Sequence, residues 1–196
     1  GIILKNLYGD INIFHIYNFP SIKMKPERNV CLREMLNLPS ETKIFLYQGA
    51  LHKGRGIKAM IQLLEDFPKA HAVILGDGPH KKELQGFSEK MNLEKRIHFL
   101  GRVPYMNMLE LTVGADVGFS LIRPISQSYE QALPNKIFEY ALANVPVIAS
   151  NLPEMELFIK KFNLGLTVPY NDRGKQKWAV NKLIYETKKK NIQETA

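Results

Sequence analysis

Glycines and basic residues alternate in a short segment that follows an apolar run. The run is Ile44–Tyr47, and the segment Gly49–Gly56 reads Gly-Ala-Leu-His-Lys-Gly-Arg-Gly. Glycines let a backbone approach a ligand closely, and the cationic side chains of Lys53 and Arg55 could hold a pyrophosphate. A helix beginning after Gly56 would add unpaired backbone N–H groups there. The alternative is a solvated loop with two cations, because the glycine spacing matches neither a Walker phosphate loop nor a dinucleotide fingerprint.

A second polar group follows Pro134, a residue type favoured at the start of a helix. Asn135, Lys136 and Glu139 then share one side of that helix, because residues three and four positions apart are neighbours. With Ile137–Phe138 in the core, we expect this polar side to face a ligand cleft, where Glu139 could accept hydrogen bonds from the vicinal hydroxyls of a ribose. The alternative is a surface ion pair between Lys136 and Glu139, worth less than about 1 kcal/mol.

The remaining reactive residue types give weaker indications. The turn Gly76–Pro79 follows the apolar run His71–Leu75, but Asp77 and the glycines also suit a simple chain turn and a helix cap. The five histidines have no metal-ligand spacing, so we expect no metal site, although His52 stays of interest inside the glycine loop. Cys31 is the one cysteine, which excludes an internal disulfide and a cysteine-built zinc site, and we expect it to pack on a helix.

Apolar runs, glycine or proline turns and amphipathic helices alternate along the chain. The predicted strands are Ile44–Tyr47, His71–Leu75, Ile97–Leu100, Val117–Leu121 and Val145–Ala149. Helices are predicted at Ile57–Phe67, after Pro79, after Pro104, after Pro134 and from Pro153 through Ile159. In the helix after Pro134, the predicted buried residues are Ile137, Phe138, Ala141 and Leu142. This alternation indicates an α/β, Rossmann-like, doubly wound parallel sheet with both faces covered. Ligands of such sheets bind beyond the carboxyl ends of the strands, which would bring both polar groups to one edge.

Length and composition fit one globular domain. The chain has 196 residues, 45% of them apolar and 23% charged. It contains neither about 18 consecutive apolar residues, which a membrane-spanning helix needs, nor a secretory signal. We therefore expect a soluble, cytoplasmic domain over residues 1–196, with a strand at Ile11–Tyr17 and a terminal helix at 175–196.

The net charge of +8 is concentrated from Lys160 onward and favours anionic partners. This basic tail could contact anionic lipid at a membrane surface, or it could simply be solvated. Few aromatic residues are interleaved with it, which argues against single-stranded nucleic acid, and we expect no nucleic-acid partner.

In their order and spacing, the motifs of this sequence resemble the carboxyl-terminal half of the group 1 (family four) retaining glycosyltransferases of the GT-B fold. The resemblance extends from about Asn18 to Gly165. The matching motifs are Gln48–Gly56, Val73–Pro79, Phe99–Pro104, Ala115–Val117, Leu133–Tyr140, Pro146–Ser150 and Pro153–Glu154.

The resemblance implies a domain that binds a nucleoside-diphosphate sugar for transfer, with retention, to a glycan or glycolipid. It implies a hexosyltransferase-type enzyme whose amino-terminal domain, connected through segment 1–20, receives the acceptor, so that residues 1–196 alone would bind nucleotide without transferring sugar. No cofactor or metal is implied, because protein cations and helix dipoles would stabilise the leaving diphosphate.

The resemblance also assigns roles to individual residues. The catalytic assignments are Arg55, which matches the residue that holds the donor diphosphate, and Glu139, which matches the ribose-binding glutamate. The resemblance further assigns substrate contacts to the helix start and the nucleobase turn, namely Asn135, Lys136, Arg102 and Val103. The glycine loop itself predicts further substrate contacts from Gly49, Lys53 and Gly54.

The sequence departs from the family pattern at two places. Gln131 stands where family members usually carry a glutamate that helps to place the sugar, and Glu130 is adjacent, so either could make that contact. Ala50 follows Gly49 where a basic residue is usual, and Lys53 is the candidate substitute. Two other functions stay open: a sugar-nucleotide epimerase half, which shares the architecture, and a non-catalytic nucleotide-binding or interaction module.

Overall fold

The structure is a computed structural model that describes Gly9 and residues 32–186, with the backbone alone for residues 185 and 186. The predicted strand Ile11–Tyr17, the helical position of Cys31 and the basic residues 188–190 lie outside the described residues. So does most of the segment 1–20.

A parallel sheet of six strands runs through the described part of the chain. Its strands are β1 (Lys43–Gln48), β2 (Ala70–Leu75), β3 (Ile97–Gly101), β4 (Val117–Ser120), β5 (Val147–Ser150) and β6 (Gly165–Val168). The spatial order is β3-β2-β1-β4-β5-β6, which confirms the doubly wound α/β prediction. The order reverses between β1 and β4, the place where open sheets of this kind bind ligands.

Helices connect the strands and cover both faces of the sheet. They are α1 (Leu32–Met35), α2 (Ile57–Leu63), α3 (Lys81–Lys90), α4 (Tyr105–Val113), α5 (Gln127–Glu130), α6 (Asn135–Leu142), α7 (Pro153–Phe162) and α8 (Arg173–Asn181). Short 3₁₀ turns follow α2 and precede β3, and a π-helical turn, Lys182–Glu186, follows α8. Within the described residues, no helix has the length and hydropathy needed to cross a membrane.

Successive side chains of the central strand enter two different cores, as expected where a sheet is covered on both faces. Phe45 and Tyr47 pack with residues of α2, α3 and α8. Ile44 and Leu46 pack with residues of α4, α6 and α7. All six residues of β1 are buried, so the strand that precedes the glycine loop lies at the rigid centre of the domain.

Several predicted boundaries require correction. The strand expected at Val145–Ala149 begins at Val147, because Pro146 has no N–H for the ladder and contributes only its carbonyl, to the Gly118 amide. In α6 Ile137 and Phe138 are buried as predicted, but Tyr140 is the third buried apolar residue, whereas Ala141 and Leu142 are half-buried. Two elements were not predicted at all: the edge strand β6 and the one-turn helix α5.

Candidate donor-binding site

Three loops meet at the carboxyl edge of the sheet and are joined by backbone hydrogen bonds. The amide of Gly49 donates to the carbonyl of Leu75 (2.8 Å), and the amide of Gly76 donates to the carbonyl of Gly101 (2.7 Å). The amide of Leu51 donates to the Asp77 carbonyl (3.0 Å). The loops that follow β1, β2 and β3 therefore form one connected rim at the place that the sequence predicted for a ligand.

Two glycines are required where these loops pack against other backbone. Gly56 has a φ of +69°, and a Cβ atom added to it would lie 1.8 Å from the Leu121 carbonyl oxygen. Gly76 has a φ of +135°, and its added Cβ would lie 2.0 Å from the Gly49 carbonyl oxygen. These two positions serve the packing of loop on loop, which fixes the shape of the rim.

The loop between β1 and α2 separates two cavities. One, of about 300 Å³, is lined by residues from all three loops, including Gly49, Ala50, Gly76, Asp77, Arg102 and Val103. The other, of about 370 Å³, has several basic side chains in its lining, among them Lys53, Arg55, Lys58 and Arg123, together with Glu83 and apolar residues of α2 and α3. The predicted nucleobase turn, Arg102 and Val103, thus lines the same cavity as Gly49. The predicted phosphate-binding residues Lys53 and Arg55 line the other cavity.

The short helix α5 supports Arg55. The guanidinium carbon of Arg55 lies 4.8 Å from the ring centroid of Tyr129, and the Tyr129 hydroxyl contacts the Lys53 carbonyl at 3.4 Å. A ring face attracts a cation and restricts the guanidinium to one side of the loop. Tyr129 was not predicted as a site residue, and the only indication in the sequence is an aromatic residue in a polar segment.

Lys136 is buried, which corrects the expectation that the polar side of α6 opens into a cleft. The residue is 8% exposed, and its Nζ lies 3.5 Å from the ring centroid of Tyr47. Burial lowers the pKa of Lys136 well below its usual value, the charge of Arg55 lowers it further, and the charge of Glu139 partly opposes both. None of the ion pairs within residues 32–186 joins Lys136 to Glu139, so the surface ion pair between them is excluded.

Glu139 is also buried, and its carboxylate is held by a chain of hydrogen bonds. Its Oε2 accepts from Gln48 Nε2 at 2.5 Å, and Gln48 Oε1 accepts from the Thr112 hydroxyl at 2.8 Å. Burial raises the pKa of Glu139, whereas the Gln48 hydrogen bond and the Lys136 charge lower it. Thr112 lies on α4, so this chain of hydrogen bonds links Glu139 on α6 to α4.

Contacts with the end of β1 bring several predicted residues together. Lys136 lies on the Tyr47 ring and Glu139 binds Gln48, directly before the loop that carries Arg55. The charges of Arg55 and Glu139 both act on the pKa of Lys136. Asn135 is exposed at the start of α6, whose first backbone hydrogen bond runs from Ile137 to Pro134. The backbone amides of Asn135 and Lys136 therefore precede the first hydrogen bond of the helix and are available to a ligand.

The other predicted residues lie further out or have local roles. Gln131 and Glu130 are both exposed at the end of α5. Asp77 accepts a hydrogen bond from the adjacent Gly78 amide at 2.8 Å, as in a simple turn. Gln48 and Thr112, which position Glu139, were missed, because their partners lie 91 and 64 residues away in the sequence. Among residues 32–186 and Gly9, no three His, Cys, Asp or Glu side chains come together as metal ligands would.

Comparisons with known proteins show where this architecture recurs. The uncharacterized glycosyltransferase MJ1059 of Methanocaldococcus jannaschii is 24% identical over 170 residues, which are 84% of this chain and 39% of that protein. The crystal structure of Anabaena Alr3699/HepE in complex with UDP has a TM-score of 0.76 at 20% identity, covering 89% of this chain and 48% of that one. WaaG, a glycosyltransferase involved in lipopolysaccharide biosynthesis, has a TM-score of 0.66 at 17% identity, covering 80% of this chain and 41% of that one.

These similarities agree on the architecture, and the chain spans less than half the length of each of the three proteins. MJ1059 and WaaG are named as glycosyltransferases. The family model described as "Glycosyl transferases group 1" matches residues 32–196, which is most of the sequence. With its six-stranded parallel sheet, this chain belongs to the group 1 glycosyl transferases.

Proposed function

We propose that the rim described above binds the nucleoside-diphosphate sugar of a retaining, hexosyltransferase-type glycosyltransferase. The observation that carries the proposal is the placement of two basic side chains and one carboxylate at the switch point of the sheet. Lys136 and Glu139 contact Tyr47 and Gln48 at the end of β1, directly before the loop that carries Arg55, and the charges of Arg55 and Glu139 both act on the pKa of Lys136. A diphosphate needs cations and a ribose needs a hydrogen-bond acceptor, and this rim supplies both.

Arg55 and Lys136 would hold the diphosphate. In glycosyl transfer the bond between the sugar and the diphosphate breaks, and negative charge grows on the departing oxygen. A guanidinium fixed beforehand stabilises that charge without further reorganisation, and the Tyr129 ring fixes Arg55 in this way, while the Tyr47 ring positions the Lys136 amine. The amides of Asn135 and Lys136 at the start of α6 would add neutral donors, and Lys53 with the Gly49 and Gly54 backbone would line the approach. No metal ion is then needed for this role.

The nucleoside would occupy the smaller cavity. Glu139 would accept from the ribose hydroxyls, because Gln48 bonds Oε2 and, among the described residues, no hydrogen bond to Oε1 is present. Arg102 and Val103, at the far side of the same cavity, would contact the nucleobase. HepE is described in complexes with UDP and with UDP-glucose, which makes a uridine diphosphate sugar the first donor to test.

The acceptor would be a glycan or a glycolipid in polysaccharide biosynthesis, bound mainly by a second domain. WaaG is involved in lipopolysaccharide biosynthesis, which supports an acceptor of this class. Gln131 or Glu130, exposed beside the rim, would contact the transferred sugar. Residues 1–196 alone would bind nucleotide without transferring sugar, and the whole enzyme would work in the cytoplasm, with peripheral membrane contact where the acceptor is a lipid.

Calorimetric titration of this chain with UDP, UMP, uridine and 2′-deoxy-UDP tests the proposal. We expect affinity to fall from UDP to UMP to uridine, because each phosphate removed takes charge-assisted hydrogen bonds worth about 1.5–3 kcal/mol, or roughly tenfold or more in Kd. The deoxy analogue should bind about tenfold more weakly than UDP, because one partner of Glu139 is lost. UDP binding should persist in EDTA. Uridine and UDP binding with equal affinity would rule out the phosphate site, and equal binding of the deoxy analogue would rule out the ribose role.

A further inference from the structure

Lys136 differs from the other buried lysine of the described chain in having no carboxylate partner. Lys43 is 9% exposed, and its Nζ forms an ion pair with Asp116 at 3.0 Å. Lys136 is 8% exposed, yet none of the ion pairs found for residues 32–186 includes it. A buried ammonium is strongly disfavoured unless an anion compensates it, so the site of Lys136 is incomplete as a cation site.

The groups around Lys136 leave an excess of positive charge. β1 contributes the ring face of Tyr47, whose hydroxyl donates to the Ala50 carbonyl at 2.8 Å. The loop after β1 contributes the charge of Arg55, which lowers the pKa of Lys136 in addition to burial. Glu139, one turn further along α6, is the carboxylate that acts against both, and its Oε2 is already bonded to Gln48.

More distant groups do not change this balance. Tyr129 on α5 stacks on Arg55, and the other phenol to consider is that of Tyr105 on α4. The pKa of Tyr105 is raised by burial and by Glu139, so this phenol remains neutral and supplies no negative charge. Within residues 32–186, Glu139 is therefore the one negative charge that acts to stabilise an ammonium at Lys136.

The amine of Lys136 reaches the start of the phosphate loop. A Cβ atom added to Gly49 would lie 3.6 Å from Lys136 Nζ. This is beside Ala50, which stands where a basic residue is usual in the resembling family. Lys53, the substitute considered from the sequence, is exposed and lines the larger cavity. By position, Lys136 is the better candidate for that missing cation.

We propose that Lys136 takes up a proton from solvent when a nucleoside diphosphate binds, and that its ammonium then grips the anion together with Arg55. This inference rests on the proposed function. The ligand supplies the negative charge that the free site lacks, so the charged form of the amine becomes favourable only in the complex. During transfer the same ammonium would donate a hydrogen bond to the departing diphosphate.

Proton uptake can be measured directly by titrating UDP into the protein in two buffers with different ionisation enthalpies. Between about pH 7 and pH 9 the wild type should take up a fraction of a proton in addition to any change in the protonation of UDP. Its affinity for UDP should fall as the pH rises. Lys136→Arg carries a permanent charge, so it should bind UDP without this uptake and with a flatter pH profile. Lys136→Met should show no such uptake and bind about 10- to 100-fold more weakly.

Lys69→Met is the matched control, because Lys69 is an exposed lysine that directly precedes β2, at the opposite edge of the sheet. It should keep both the affinity and the uptake of the wild type, and urea unfolding would identify any variant that fails to fold. Equal proton uptake by the wild type, Lys136→Arg and Lys136→Met would overturn the inference while leaving UDP binding and the proposed function intact. Failure of the folded wild type to bind UDP at all would overturn both.

Discussion

Replacing Gly56 by alanine should destabilise the domain by about 3 kcal/mol or more. Gly56 has a φ of +69°, and the added Cβ would lie 1.8 Å from the Leu121 carbonyl oxygen and 2.5 Å from Leu121 Cβ. Leu121 is 1% exposed and directly follows β4, so its backbone cannot move aside without disturbing the core. The left-handed conformation adds about 1 kcal/mol of strain for any residue other than glycine.

Gly86→Ala is the matched control for this substitution. Gly86 lies inside α3, and a Cβ added to it would meet nothing within 4 Å apart from the backbone of its own helix. Alanine there should stabilise the domain by about 0.5–1 kcal/mol, because alanine favours the helix over glycine. Urea unfolding followed by circular dichroism measures both changes. A Gly56→Ala protein that unfolds at the wild-type urea concentration would contradict the close packing of the loop against β4.

Arg55→Ala should weaken UDP binding about 10- to 100-fold while changing the free energy of unfolding by less than about 1 kcal/mol. The large effect is expected because a guanidinium can form two charge-assisted hydrogen bonds to a phosphate. The small effect on stability is expected because the contact that Arg55 makes with protein is the stacking on Tyr129, and Arg55 is only half-buried. Calorimetry and urea unfolding of the same preparation separate the two quantities.

Lys69→Ala serves as the control for Arg55→Ala, because it removes the same charge from the opposite edge of the sheet. Its Kd for UDP should stay within about twofold of wild type at physiological salt, where exposed charges more than about 8 Å apart are screened. An equal loss in both variants would assign the effect to the overall charge of the protein. If Arg55→Ala bound UDP with wild-type affinity, Arg55 would not be a ligand-binding residue.

The fold was predictable because strands and helices leave different apolar patterns. The continuous runs that became β1 to β5 lie between glycines and prolines that mark the turns. The rim could be placed because each glycine turn directly follows a strand. β6 was missed because its first three residues are half-exposed at the edge of the sheet, and α5 because a single turn has no periodicity.

The burial of the site residues could not be predicted from the helix alone. Spacing shows correctly that Lys136 and Glu139 share a side of α6, but it does not show what that side meets. In the fold, that side faces β1, where the Tyr47 ring and the Gln48 amide cover it. These contacts join segments about 90 residues apart, with Gln48 and Glu139 separated by 91, and they arise only when the sheet has formed.

The most direct test of a nucleoside-diphosphate site at this rim is a titration of the ¹⁵N-labelled chain with UDP, followed by amide chemical shifts. The largest changes should fall on residues of the three loops and the start of α6, with Gly49, Gly54, Val103 and Lys136 among them. Amides of α7, such as those of Leu157 and Lys160, should be unaffected. Changes confined to α7, or no changes at millimolar UDP, would contradict the account.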